Sequence, residues 1–141
     1  MNRISLLLQF LRAFIPSLWI NFRCLPFKQA IKLPILVYKP KFLSLKGKIV
    51  IDCEEIHCGM IRMGFFTSAV FPNSGFVLRN EGTLIFRGKF HMGNDCYLIC
   101  GKQGKIEFGD DFRVTAGFKI VSECGITFGK EIRFGWGNLV I

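Results

Sequence analysis

Phe86-Arg87-Gly88-Lys89-Phe90-His91-Met92-Gly93-Asn94-Asp95-Cys96-Tyr97-Leu98 carries an apolar residue at every sixth position: Phe86, Met92 and Leu98. The same step recurs at Phe108, Val114 and Ile120, and again at Phe128, Phe134 and Val140. A helix repeats at about 3.6 residues and a half-buried strand at about 2, so neither gives a period of six. Six-residue steps taken in threes are the pattern of a parallel β-helix with a triangular cross-section. Three inward corners close one coil, and the coils stack into a solenoid. One coil cannot bury its own corners, whereas a stack buries them continuously.

Working outward, a second signature gives the register. Ile61-Arg-Met63-Gly64, Ile106-Glu-Phe108-Gly109 and Ile126-Thr-Phe128-Gly129 share one pattern, with a looser copy at Leu84-Ile-Phe86-Arg-Gly88. Phe86, Phe108 and Phe128 fall 22 and then 20 residues apart, which is eighteen plus a four-residue and a two-residue insertion. Both insertions contain glycine (Gly101 and Gly104; Gly125), as turns between coils should. Gly47-Lys-Ile-Val-Ile51 has the same shape, so coils are expected from residue 47, irregular to about 83 and regular over 84–141, five turns in all. Aligned Phe86, Phe108 and Phe128 would form an aromatic ladder. Phe90, Cys96, Phe112, Phe118 and Cys124 lie four residues after a corner and are expected to fill the remaining interior. Gly93, Gly109, Gly129 and Gly135 follow corners, where the backbone must bend.

Residues 1–46 read as a basic, apolar helical appendage. Residues 4–15 suit a helix in which Ser5, Gln9, Arg12 and then Pro16 line one narrow face and nearly everything else is apolar. Pro16 is expected to end or kink it. Arg3, Arg12 and Arg23 leave no uncharged run of the ~20 residues needed to span a bilayer, so the segment should lie on a surface and not cross. Residues 26–33 suit a second short helix with Pro26 in its first turn, and Ile35–Tyr38 a strand entering the body. A structural role, covering the open first rung, competes with a lipid role.

Half of the 141 residues are apolar and 16 are Phe, against two Tyr and two Trp, a bias that suits stacked interior rungs. One domain, or one domain with an appendage, follows from the length. Of the 19 Lys and Arg, nine lie in residues 1–48, which hold no Asp or Glu. The other ten are balanced by all ten acidic residues, so the net charge of +9 belongs to the N-terminal third. Basic residues interleaved with Leu, Ile, Phe and Trp point to an anionic membrane surface through residues 1–32 rather than to nucleic acid. Six cysteines without a signal-peptide pattern read as reduced, mostly buried thiols of a cytoplasmic protein, peripheral at the inner face of the membrane.

Candidate chemistry is sparse. Cys53-Glu54-Glu55-Ile56-His57-Cys58 groups potential metal ligands, but its spacing fits no zinc pattern and no second pair completes a site, so no metal is expected. His91 stands one residue before the Met92 corner with Asp95 four residues on, which reads as a surface histidine. A metal-dependent lyase on this fold needs three His on neighbouring coils, and only His57 and His91 exist. No phosphate-binding loop or nucleophile elbow is present.

Residues 84–141 resemble the hexapeptide-repeat acyltransferases, and more closely the bacterial capsule and O-antigen polysaccharide O-acetyltransferases. The likeness rests on Gly104-Lys-Ile-Glu-Phe-Gly-Asp-Asp111, on Phe134-Gly-Trp-Gly-Asn-Leu-Val-Ile141, and on the lead-in Trp19-Ile-Asn-Phe-Arg-Cys-Leu-Pro-Phe-Lys-Gln-Ala-Ile-Lys-Leu-Pro34. It implies a left-handed coil, a homotrimer, acetyl-CoA as co-substrate and a sugar or lipid-linked glycan hydroxyl as acceptor, with a His as general base. In that family the His follows the strand that ends here, so it is expected beyond Ile141, and neither a catalytic nor a CoA-binding role passes to a numbered residue. The rung of Phe128, Phe134 and Val140 stands uncovered at Ile141, which reads as a chain incomplete at its C-terminus. Residues 1–141 alone are then expected to show no acetyl transfer and to aggregate. A catalytically incomplete fragment or a non-catalytic scaffold is the competing function.

Overall fold

A computed structural model describes residues 2–141. After helix α1 (Arg3–Cys24) and a single turn, α2 (Phe27–Ala30), the chain winds about five times around one axis. Each of the first four turns gives a strand to each of three all-parallel sheets, and the fifth gives one to the first and one to the second. The first sheet stacks β1 (Ile35–Val37), β4 (Ile61–Phe65), β7 (Phe90–Asn94), β10 (Phe112–Ala116) and β13 (Arg133–Trp136). The second stacks β2 (Pro40–Ser44), β5 (Phe76–Asn80), β8 (Cys96–Cys100), β11 (Lys119–Ser122) and β14 (Leu139–Val140). The third stacks β3 (Lys48–Ile51), β6 (Thr83–Phe86), β9 (Lys105–Phe108) and β12 (Gly125–Phe128). The chain is a mainly β parallel solenoid with a helical N-terminus.

The three apolar triplets stand in register. Phe86 pairs Phe108 and Phe108 pairs Phe128 on the third sheet. Met92, Val114 and Phe134 align on the first, and Leu98, Ile120 and Val140 on the second. Corners of the middle coils are buried, while Phe128, Phe134 and Val140, with a coil on one side only, are half-buried. Rings of Phe86 and Phe108 stack at 5.3 Å and those of Phe108 and Phe128 at 5.5 Å. A second ladder, Phe90 on Phe112 at 5.3 Å, meets the first edge-on, with Phe90 4.6 Å from Phe108. Offset and edge-to-face pairs each add roughly 0.5–1.5 kcal/mol beyond the area they bury.

Several expectations need correction. The solenoid begins at Ile35, not at residue 47, because β1 pairs with β4 and β2 with β5. The Ile61–Gly64 copy lies on the first sheet, aligned with Phe90–Met92, while the other copies lie on the third. The pattern marks a strand ending in an inward residue, and it says nothing about which face the strand joins. Cys124 is exposed. Counting four from a corner works when the next corner is six away; here the two-residue insertion intervenes, and Ile126 takes the interior position. Cys96 is buried as expected, and burial pushes its thiol up to about 11. All six thiols are free, but only Cys96 and Cys100 are buried. Gly93 also serves close packing, since a Cβ there would lie 1.7 Å from the Thr115 carbonyl oxygen.

Of the two outcomes expected at Pro16, an end is not the one found, since helix α1 continues to Cys24, and α2 is one turn rather than residues 26–33. An interior proline costs roughly 3 kcal/mol, and the residues just beyond it supply the compensation. Ser17 and Asn21 bond the open edge of β1. The Val37 amide donates to Ser17 Oγ (2.9 Å), the Ile35 amide donates to Asn21 Oδ1 (3.1 Å), and Asn21 Nδ2 donates to the Ile35 carbonyl (2.7 Å). Four helical residues rise about 6 Å and two strand residues about 6.6 Å, so side chains at i and i+4 match alternate residues of a strand. Gln29 Nε2 also reaches the Ile51 carbonyl of β3, at 3.3 Å. The appendage is the cap of the first coil.

Candidate functional site

Strand alternation turns one outward residue of each coil onto the same line of the first sheet. Met63, Met92 and Val114 point inward, so their predecessors Arg62, His91 and Arg113 face out. These three are direct register partners across β4, β7 and β10, and Arg133 continues the line on β13. Neighbouring strands lie ~4.8 Å apart, which sets the imidazole between two guanidinium groups. A groove of about 370 Å³ opens here, lined by His57, Arg62, Lys89, His91, Asp111 and Arg113 with Phe90 and Phe112 at its base.

Burial lowers the affinity of His91 for a proton, and the Arg62 and Arg113 charges lower it further. The imidazole is therefore held neutral, able to accept a proton or to offer one N–H. Asp111, in a left-handed turn conformation (φ 62°), sends its carboxylate to Arg113 Nε at 3.1 Å and to the Arg133 guanidinium. The hydrogen bonds from Arg133, then those from Arg113, hold Asp111 below the usual carboxylate range against a desolvation effect of opposite sign. Arg62 donates from Nε to the Gly59 carbonyl (3.0 Å) and lies 5.6 Å over the Phe10 ring. Among the described residues no carboxylate pairs with Arg62 or Lys89. The groove thus presents cationic donors beside a neutral imidazole, a setting for an anionic group next to a proton acceptor.

The structure brings His57 and His91 to one groove, with His57 exposed on the turn before β4. Asp95 is not with His91; it occupies the turn between β7 and β8, also at positive φ (56°). Of the cysteine–histidine cluster, Cys53 donates to the Glu55 carbonyl (3.3 Å) and Cys58 is exposed. Among the described residues no three His, Cys, Asp or Glu side chains converge as metal ligands. Sequence reasoning missed Arg62 and Arg113. Their signal was the position they share with His91, one residue before an inward corner.

Asn94, fully buried at the end of β7, also went unnoticed. Its Oδ1 accepts from the Thr67 amide and hydroxyl and from the Ser68 amide, and its Nδ2 donates to the Ser68, Phe71 and Asn73 carbonyls. One side chain thereby folds loop 66–75 against the turn after β10, where Phe71 covers Gly117. Comparison with family models, with curated proteins and with solved structures gives no match.

Proposed function

We propose that this solenoid serves acyl transfer, moving acetyl from acetyl-CoA to a sugar hydroxyl in surface polysaccharide biosynthesis. The observation that carries the reading is the hexapeptide step itself. It gives in-register stacked corners over 84–141, in a stretch that resembles the polysaccharide O-acetyltransferases. In this reading the coil is left-handed and the chain assembles as a homotrimer. The groove's guanidinium groups suit the phosphates of CoA or of a lipid-linked sugar. Among the described residues, His91 is the group whose setting suits the task of proton acceptor.

The test is made in the source cell. Deleting the gene should abolish or strongly reduce O-acetyl groups on the surface polysaccharide, read by proton NMR, and the wild-type gene should restore them. Unchanged acetylation would overturn the reading. Complementation with His91→Asn then places the base. Restored acetylation puts it outside the groove, and failure with folded protein puts it at His91. A second reading, a non-catalytic scaffold, is favoured by one observation: among the described residues no hydrogen bond reaches the His91 ring to orient it as a base.

A further inference from the structure

Helix α1 docks by its polar side. Its buried residues are Gln9, Ala13, Ser17, Ile20 and Asn21. The polar ones among them serve backbone groups: Ser17 and Asn21 serve β1, and Gln9 Oε1 accepts from the Phe66 amide at 3.4 Å. A sheet edge asks its cover for hydrogen bonds rather than for apolar surface, so the apolar side of α1 is left facing outward. At 100° per residue, Ile4, Leu8, Leu11, Ile15 and Phe22 fall opposite the docked stripe, and they are 69, 50, 63, 76 and 49% exposed. Phe27 (71%) and Ile31 (55%) extend the surface past the helix end. The stripe from Ile4 to Phe22 is about 27 Å long, a contiguous exposed apolar face of the kind that marks an interaction surface.

Charge identifies what covers it. Arg12 and Arg23 fall on one flank of the stripe and Arg3 near its start, with Lys28 and Lys32 just beyond; all five are exposed. No acidic residue occurs before Asp52. A second copy docked through this face would bring two such cationic sets together with no carboxylate between them. A phospholipid surface supplies both missing partners, acyl chains for the stripe and anionic headgroups for the cations, whose long stems reach from one zone to the other. By length and composition the helix could cross a bilayer. Crossing, however, would strip Ser17 and Asn21 from β1 and carry Arg12 into hydrocarbon. We infer that α1 lies in the interface of an anionic phospholipid membrane, its Ile4–Leu11–Ile15–Phe22 face in the acyl region and its Ser17–Asn21 face still bonded to β1. The solenoid is then held beside the bilayer by its first coil. This inference is independent of the acyl-transfer reading.

Vesicle binding of the whole chain tests it, using phosphatidylcholine with and without phosphatidylglycerol. Sedimentation with the anionic vesicles and little with the neutral ones is expected. Leu11→Gln/Ile15→Gln and Arg12→Glu/Arg23→Glu should each weaken partitioning by about tenfold or more, with unchanged circular dichroism. In a Trp136→Phe background Trp19, half exposed beside the stripe, should be quenched best by lipids brominated near the headgroup. Three outcomes overturn the inference: no binding by folded protein, equal binding to neutral vesicles, or strongest quenching from the bilayer centre. A concentration-dependent dimer abolished by Leu11→Gln/Ile15→Gln, without vesicle binding, would assign the face to a second copy instead.

Discussion

His91 feels burial, Arg62 and Arg113 in the same direction, all three favouring the neutral imidazole. The Lys89 ammonium and the Asp111 carboxylate are the other charged groups of the groove, and the His57 imidazole also lines it. Because protonation is weaker in the folded state than in the unfolded chain, the unfolded chain binds more protons once the pH drops toward 6.5. Stability therefore rises with pH through the window below 6.5 and is lost as the pH falls through it. His91→Asn should flatten that part of the stability profile, measured by urea unfolding between pH 5 and 7. Arg62→Ala should move the His91 titration upward in NMR. The outward setting of His91 was legible from its place before Met92. Its neighbours were not, because loop 66–75 sits between Arg62 and His91 and hides the spacing that makes them register partners.

At the scale of elements, a buried polar side chain decides how each irregular piece is held. Asn21→Ala removes both bonds to Ile35 and leaves its amide and carbonyl unpaired. A loss of roughly 1–3 kcal/mol is expected, together with faster amide exchange at Ile35. Asn94→Ala abandons the Thr67 and Ser68 amides and three carbonyls of loop 66–75, while the Thr67 hydroxyl keeps the Thr115 carbonyl, and should cost roughly 3 kcal/mol while opening that loop to proteolysis. The helical periodicity of residues 4–15 located a polar face, with Pro16 expected to end or kink the helix, and the helix does not end there. Periodicity measures amphipathicity and cannot tell which side is buried. The docked stripe continues through Ser17 and Asn21 because their bonds to β1 outweigh the proline defect.

Across the molecule, cohesion comes from neighbouring coils. Phe108 stacks on Phe86 and Phe128 and meets Phe90 and Phe112 edge-on, so it ties three coils together. Phe108→Ala should cost roughly 3–5 kcal/mol in thermal or urea unfolding. Phe128→Ala, at a half-buried rung, should cost distinctly less. The regular coils were readable because their insertions are short. The first two were not, because long connections between β3 and β4 and between β4 and β5 break the six-residue step.

A stack of coils is in principle a polymer with two open ends, each able to template another strand from a neighbouring molecule. Ser17, Asn21 and Gln29 spend their donors and acceptors on the leading rung, so α1 and α2 act there as a chain terminator. The terminator also has a direction. Whatever the outward face of α1 adheres to, the coils project away from it, which fixes the polarity of the whole column with respect to that surface.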